Sequence, residues 1–284
     1  MKLAILITSH NRSAKTLACL RYLDESLRSS AVKYADIYLV IDGSTDDTHN
    51  QVLQKYPKVK IILGDGNLFW NGGMRLAWSR ALEAQTHYDF FLWLNDDTYL
   101  FKEGITTMLN DYFKAKNEKG SDLIMTGACK SMINDSFSYG GKLINGKGLV
   151  PKGFIQECQL INGNCVLVSD KINQILGILS EKFTHSMGDY DYGLRAKEND
   201  INSYCSSSYI AYCEPNNEIP IWCNPKFNLK TRYKAFNSPK GLNIKEYIYF
   251  RKRHWPKAWS LYILKAYIKM IFPKYYQKIN NRCV

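Results

Sequence analysis

The feature that most constrains this chain is the alternation of short apolar runs with segments of helical period. Buried strands and amphipathic helices in strict succession build a layered α/β domain around a largely parallel sheet. The apolar run 3–7 is followed by Leu17, Leu20, Leu23 and Leu27, spaced by three or four and therefore on one helical face. Residues 37–41 precede Asp42-Gly43-Ser44-Thr45, where Ser44 and Thr45 suit an N-cap for a helical stretch towards Tyr56. The run 59–63 leads through residues 64–73 to a helix past Ala77 and Ala81, and 90–94 is a fully apolar strand ending in Asn95-Asp96-Asp97. After about Asp122 the pattern changes: the Gly-rich segment 137–150 reads as a hairpin and 159–168 as a further strand.

Composition enters here as a boundary. With 284 residues and 45% of them hydrophobic, the chain can bury a sizeable core as one large or two small domains, which excludes disorder and a fibrous repeat. The run 3–7 is too short for a secretory h-region, and no apolar stretch reaches the ~18 residues of a spanning helix. The eight cysteines (19, 129, 158, 165, 205, 213, 223, 283) contain no C-x-x-C pair, so neither a zinc site nor a redox dithiol is expected, and reduced cytosolic thiols are. The net charge of +12 is local: from Lys226 onward there are 15 Lys/Arg against one acid, Glu246, giving +14, while everything before sums to −2.

Ligands on open α/β sheets bind beyond the carboxyl ends of the strands, so the residues from Thr8 to Arg12, Asp42, Asn67 and Asp96-Asp97 are expected on one edge. Neither G-x-G-x-x-G nor G-x-x-x-x-G-K-[ST] is present. What remains is a set of carboxylates after the second and fourth strands, suited to a sugar nucleotide: one group for the base, one for the ribose, one for a metal. Adjacent Asp96 and Asp97 repel unless something positive sits beside them, which favours a bound cation over a strand-end turn with a capping Asp. Gly72-Gly73 let backbone approach a ligand closely, or alternatively form a helix-entry turn, and Trp70 before them contacts the donor or belongs to the core.

In combination these segments resemble glycosyltransferase family 2 with its GT-A fold. The matching elements run in order: residues 5–12 (ILITSHNR), 40–48 (VIDGSTDDT), Trp93-Leu94-Asn95-Asp96-Asp97-Thr98 as a D-x-D-like motif, and 185–195 (HSMGDYDYGLR), similar to E-D-x-D-L-x-x-R. The resemblance implies an α/β GT-A domain over 1–225, with a nucleotide-binding half at about 1–121 and an acceptor half at about 122–225. It implies that Thr8, Ser9, Asn11 and Arg12 line the nucleotide pocket with Asn67, Trp70, Gly72 and Gly73, and that Asp42 binds the base, typically uracil. Asp96 would face the ribose, Asp97 would hold Mn²⁺ or Mg²⁺ on the diphosphate, Asp189 would be the general base with Asp191 in support, and Gly163 and Asn164 would lie under the acceptor sugar, where a simple bulge is the alternative. Two positions depart from the pattern. Asn95 stands where Asp is frequent, and Gly188 replaces a Glu, which leaves Asp189 without an adjacent acid to raise its pKa.

His185 and His254 are candidate metal or phosphate ligands by their positions, though most lone histidines are neither. The extension 226–284 mixes Trp255, Trp259, Leu261, Leu264, Ile268 and Ile271 with Lys265 and Lys269, which suits a basic amphipathic helix on an anionic bilayer; a helix packed on the body and a nucleic-acid binder are the alternatives. The expectation is a metal-dependent inverting glycosyltransferase, cytoplasmic and peripheral at the inner face of the cell membrane. It would take a nucleotide-diphosphate sugar, UDP favoured, and a glycan or lipid-linked oligosaccharide acceptor in surface-polysaccharide synthesis, with no nucleic acid. The rivals are a sugar-1-phosphate nucleotidyltransferase, which should carry a basic Gly-rich loop after the first strand, and a non-enzymatic basic membrane- or nucleic-acid-binding protein, whose phosphates the acidic sheet edge would repel.

Overall fold

A computed structural model describes residues 1–280. Cys283 and the last residues of the basic extension lie outside the described residues. The chain divides into two compact units, one formed by Met1–Glu181 with Asp189–Pro215, the other by Lys182–Gly188 with the chain from Asn216 onward.

The first unit runs β1 (Lys2–Ser9), α1 (Ser13–Arg28), β2 (Tyr34–Asp42), α2 (Thr48–Lys55), β3 (Lys60–Gly64), α3 (Phe69–Leu82), β4 (Phe90–Leu94), β5 (Tyr99–Leu100), α4 (Gly104–Lys119), β6 (Ile124–Lys130), β7 (Phe137–Tyr139), β8 (Gln156–Cys158), β9 (Cys165–Ser169), α5 (Asp170–Leu176), α6 (Gly188–Glu198) and β10 (Ser203–Tyr212). The strands form one sheet in the order β3-β2-β1-β4-β9-β6-β10-β5, with β7 beside β6 and β8 beside β10. The four N-terminal strands are parallel. β9 then enters antiparallel to both β4 and β6, and the β6–β10 pair is parallel again, so the second half of the sheet is mixed.

Alternation along each strand sends side chains to opposite faces. Leu3, Ile5 and Ile7 pack with Leu20 and Leu23 of α1 and Met108 and Tyr112 of α4, while Ala4 and Leu6 pack with Met74, Ala77 and Trp78 of α3 and Tyr192 of α6. The sheet is thus covered on both sides, which is why β4 reads as an unbroken apolar run. The expected strand 159–168 is shorter in the structure: β9 starts at Cys165, because residues 163–164 form a turn. That turn is part of the site described below.

In the second unit a short 3₁₀ turn (Ile221–Cys223) is followed by α7 (Leu229–Phe236), α8 (Ile244–His254), α9 (Trp259–Ile271) and α10 (Pro273–Asn280). Phe236, Ile244, Ala266 and Met270 form its core. The segment 182–188 joins it through Glu246, which accepts from the Thr184 N–H at 3.0 Å and the Thr184 hydroxyl at 2.5 Å, and through Phe183, whose ring meets Tyr249 and Phe250. No helix among the described residues is long and apolar enough to cross a membrane. The seven described cysteines are all buried and unpaired.

Candidate active site

The carboxyl ends of β1, β2 and β4 bring the first set of candidate residues together. Arg12, just beyond β1, places one guanidinium nitrogen, Nη1, 3.0 Å from Asp96 Oδ1 and 2.9 Å from Asp97 Oδ2, and Lys15 stands 3.7 Å from the same Asp97 oxygen. The two carboxylates do need a positive neighbour, and in this structure Arg12 is one. The charge argument that favoured a metal is therefore met in part by a side chain 84 residues away from Asp96 in the chain.

The loops after β1 and β2 are tied to each other. Asn11 adopts a φ of 51°, a conformation Asn tolerates, and its Oδ1 accepts from the N–H groups of Thr45 (2.7 Å) and Asp46 (3.2 Å), while its own N–H donates to Ser44 Oγ at 2.9 Å. His10 Nδ1 lies 2.5 Å from the Asp42 carbonyl oxygen. Asp42 is buried, and its two carboxylate oxygens accept from Gly66 N–H at 2.7 Å and Phe69 N–H at 2.9 Å. It thereby folds the loop carrying Asn67, an exposed residue, over the end of β2. Ser9 is buried, with its hydroxyl 2.7 Å from that of Thr16.

Gly72 and Gly73 lie inside α3 and are buried. A Cβ on Gly73 would stand 2.2 Å from Thr8 Oγ1, so α3 approaches the end of β1 closely at this glycine. It holds the helix and Thr8 against each other. Arg75, one turn further and not singled out from the sequence, donates to the Ser180 carbonyl at 3.2 Å alongside Asn71 at 2.9 Å.

Asp96 is 4% exposed, and its Oδ2 has no hydrogen-bond partner among the described residues. Burial pushes its pKa up to about 6, with Arg12 pulling it down and Asp97 pushing it up. Between the usual carboxylate range and about 6, the folded protein holds a proton that the unfolded chain has released, so this group's contribution to stability falls as pH rises through that window. Asp96→Asn should accordingly match the native protein at pH ~4 and exceed it at pH ~7, by up to about 3 kcal/mol. Urea unfolding at the two pH values in EDTA checks this, and an advantage that does not grow with pH contradicts it.

Asp97 is partly exposed, with Oδ1 4.0 Å from Cys213 Sγ. Burial, with Asp97 next, pushes the Cys213 thiol up to about 12, so it stays protonated; Asn164 Nδ2 donates to its sulfur at 3.0 Å. No group of three or more His, Cys, Asp or Glu among the described residues is arranged to hold a metal. The accessible carboxylate of the pair is Asp97, so a divalent cation held here would have to complete its shell with substrate phosphates and water. His185 and His254 both belong to the second unit, where the His254 ring packs against Phe250 (centroids 5.1 Å apart) and Trp255 (6.0 Å).

The second set of residues surrounds the turn before β9. Asp189, in the first turn of α6, accepts from Gly163 N–H at 3.0 Å through Oδ2 and from Tyr190 N–H at 2.8 Å through Oδ1. Burial raises its pKa and the two amides draw it back. Desolvation thus does what no neighbouring acid was present to do. Asp191 has a different environment: it is fully buried and pairs with Arg195 at 2.9 Å, whose remaining nitrogens donate to the carbonyls of Leu176 (2.7 Å) and Ile178 (3.0 Å). The two sets meet at Asn95, whose N–H donates to the Asn164 carbonyl at 2.9 Å, one residue before Asp96 and beside the turn that holds Asp189.

Residues 4–119 match the profile described as glycosyl transferase family 2. Comparison with curated proteins finds no match. Among solved structures the chain is similar to Staphylococcus aureus TarS 1-349, with 16% identity and a TM-score of 0.50 over 75% of this chain and 60% of that one. The same fragment in complex with UDP gives 18% and 0.50 over 75% and 60%, and in complex with UDP-GlcNAc 17% and 0.50 over 87% and 67%. At such identities the likeness is one of fold, and the chain spans about 60% of the length of the first two.

Proposed function

We propose, from the premise that residues 4–119 are a family 2 glycosyltransferase domain, that this protein moves a sugar from a nucleotide-diphosphate donor to an acceptor hydroxyl with inversion. The observation that carries the reading is the single edge on which Asp96 and Asp97, gripped by Arg12, adjoin through Asn95 the turn that holds Asp189. A carboxylate cluster balanced by a cation, next to a second carboxylate of raised pKa, is what transfer to a hydroxyl requires: one part receives the leaving diphosphate, the other takes the acceptor's proton.

In this reading the unpartnered Asp96 oxygen accepts from a ribose hydroxyl, and Asp42 shapes the base pocket by holding the Gly66–Phe69 backbone. Arg12 and Lys15 supply positive charge where the diphosphate leaves. Asp97 would hold Mn²⁺ or Mg²⁺, which when bound neutralises charge on the diphosphate oxygens. The Asp189 carboxylate receives the acceptor proton, helped by a burial that makes it more basic than an ordinary Asp. UDP is the favoured nucleotide because the TarS complexes of like fold hold UDP and UDP-GlcNAc. A glycan or lipid-linked oligosaccharide is the proposed acceptor, in surface-polysaccharide synthesis.

Release of nucleotide from UDP-, GDP- and dTDP-sugars, with and without Mn²⁺, tests the function directly. Turnover should require the metal, and Asp97→Asn should abolish metal-dependent transfer while leaving the fold intact. Activity that survives both EDTA and Asp97→Asn would remove the metal role.

The proposed membrane partner rests on the second unit. Leu261, Leu264, Ile268 and Ile271 are exposed along α9 at spacings of three and four, beside an exposed Phe272 and the exposed Lys257, Lys265 and Lys274, while Ala266 and Met270 take the buried face. An apolar stripe rimmed with lysines suits the headgroup boundary of an anionic bilayer at the inner face of the cell membrane. Some of the aromatic and basic content serves internal stacking instead, as with Lys269 over Trp222 at 5.2 Å and Arg251 over Tyr262 at 4.0 Å. Co-sedimentation with anionic vesicles should be strong at low salt, fall with added salt, and be lost in Leu264→Asp/Ile268→Asp. Binding indifferent to both changes contradicts this partner.

A further inference from the structure

Trp70, Asn95 and Gly163 form a connected set around Asp189. Trp70 Nε1 donates to Asn95 Oδ1 at 2.7 Å, and the Asn95 N–H donates to the Asn164 carbonyl, so Asn95 grips both the indole and the 162–164 turn. Gly163 lies between that indole and Asp189: a Cβ there would stand 2.4 Å from Trp70 Cζ2, 2.5 Å from Cη2 and 3.4 Å from the Asp189 Cβ. The indole also meets Trp93 edge-on at 6.3 Å, and Trp93 meets Tyr192 at 5.2 Å, three residues past Asp189 in α6.

A glycine turn is the most freely moving backbone available, so an N–H that must stay aimed at a carboxylate needs an external stop. The indole supplies a flat one, and the hydrogen bond to Asn95 fixes its tilt. An amide at position 95 is the right group: it accepts from the indole N–H without adding a third negative charge beside Asp96 and Asp97.

We propose that Trp70, tied to Asn95, is a positioning residue for Asp189, its indole backing the turn so that the Gly163 N–H stays bonded to Asp189 Oδ2. The proposal rests on the reading of Asp189 as the base. Besides Gly163 and Tyr190, Lys142 acts on Asp189 by its charge, and its Nζ bonds the Tyr190 hydroxyl at 3.2 Å.

The test follows the Asp189 carboxyl carbon by NMR in full-length protein labelled with ¹³C-aspartate, the signal being identified by its loss in Asp189→Asn. In Trp70→Ala and in Asn95→Leu, which keeps the branched outline without the acceptor and serves if the first fails to fold, the titration should move up by about one pH unit as the Gly163 amide is released. With whichever nucleotide sugar the native protein turns over, kcat should fall about tenfold with donor affinity retained. A merely structural role would lower stability and leave the titration in place. An Asp189 titration unchanged in folded Trp70→Ala or Asn95→Leu overturns the proposal alone, whereas native turnover by Asp189→Asn overturns the base reading and this proposal with it.

Discussion

Replacing Asp189 with Asn should lower kcat by ~10² or more while donor affinity is retained. The expectation follows from what the carboxylate touches. Its two oxygens accept from backbone N–H groups of Gly163 and Tyr190, so solvation loss raises its basicity while those amides and the charge of Lys142 draw it back. Asn keeps the size and one acceptor, but cannot take a proton at neutral pH. Isothermal titration with nucleotide sugar, together with steady-state rates, separates the two effects: a variant that binds donor normally and turns over slowly places the loss in the chemical step. The acid limb of the native rate profile should also lie above that of an ordinary Asp, since burial raises the group, and Asp189→Asn should lack that limb. A variant that retains most of the native rate would move the base role elsewhere.

The parts of this fold that were legible in the sequence are those set by burial on both faces. The apolar run 90–94 coincides residue for residue with β4, and 3–7 and 37–41 lie inside β1 and β2, because nothing polar can be placed in strands covered on each side. The run 159–168 was equally apolar at its end but is broken by a turn whose cause is tertiary, the indole of Trp70 on one side and Asp189 on the other. The same limit applies to the site. Chain adjacency showed that Asp96 and Asp97 need a positive neighbour, yet it could not show that Arg12 reaches both. It likewise counted acids beside Asp189 and found none, although desolvation, which depends on residues distant in the chain, raises that group. The close contact of Gly73 with Thr8 is likewise tertiary and invisible to chain adjacency. Asn95 is a departure from the D-x-D pattern in the sequence, and only the geometry identifies it as the acceptor for Trp70.

Asp191, two residues from Asp189, should behave in the opposite way: Asp191→Asn is expected to cost about 3–5 kcal/mol of stability. Its carboxylate is wholly buried at 2.9 Å from Arg195 Nε, and Arg195 uses its other nitrogens on the carbonyls of Leu176 and Ile178, at the end of α5 and just beyond it. The guanidinium also lies over the Tyr192 ring, 4.9 Å from its centre. Removing the negative partner leaves a largely enclosed cation facing carbonyl dipoles and the Tyr192 ring without its counter-charge, and that uncompensated charge is the source of the cost. Replacing both partners, as in Asp191→Leu/Arg195→Leu, removes the charge together with its counter-charge and should be markedly less destabilising than the sum of the single changes, so a double-mutant cycle by urea unfolding reads the coupling directly. Folded Asp191→Asn, assayed at a temperature where it remains native, should keep far more of its turnover than Asp189→Asn. If Asp191→Asn is instead fully stable and inactive, the pair is part of the reaction and the roles of the two acids in this helix are reversed.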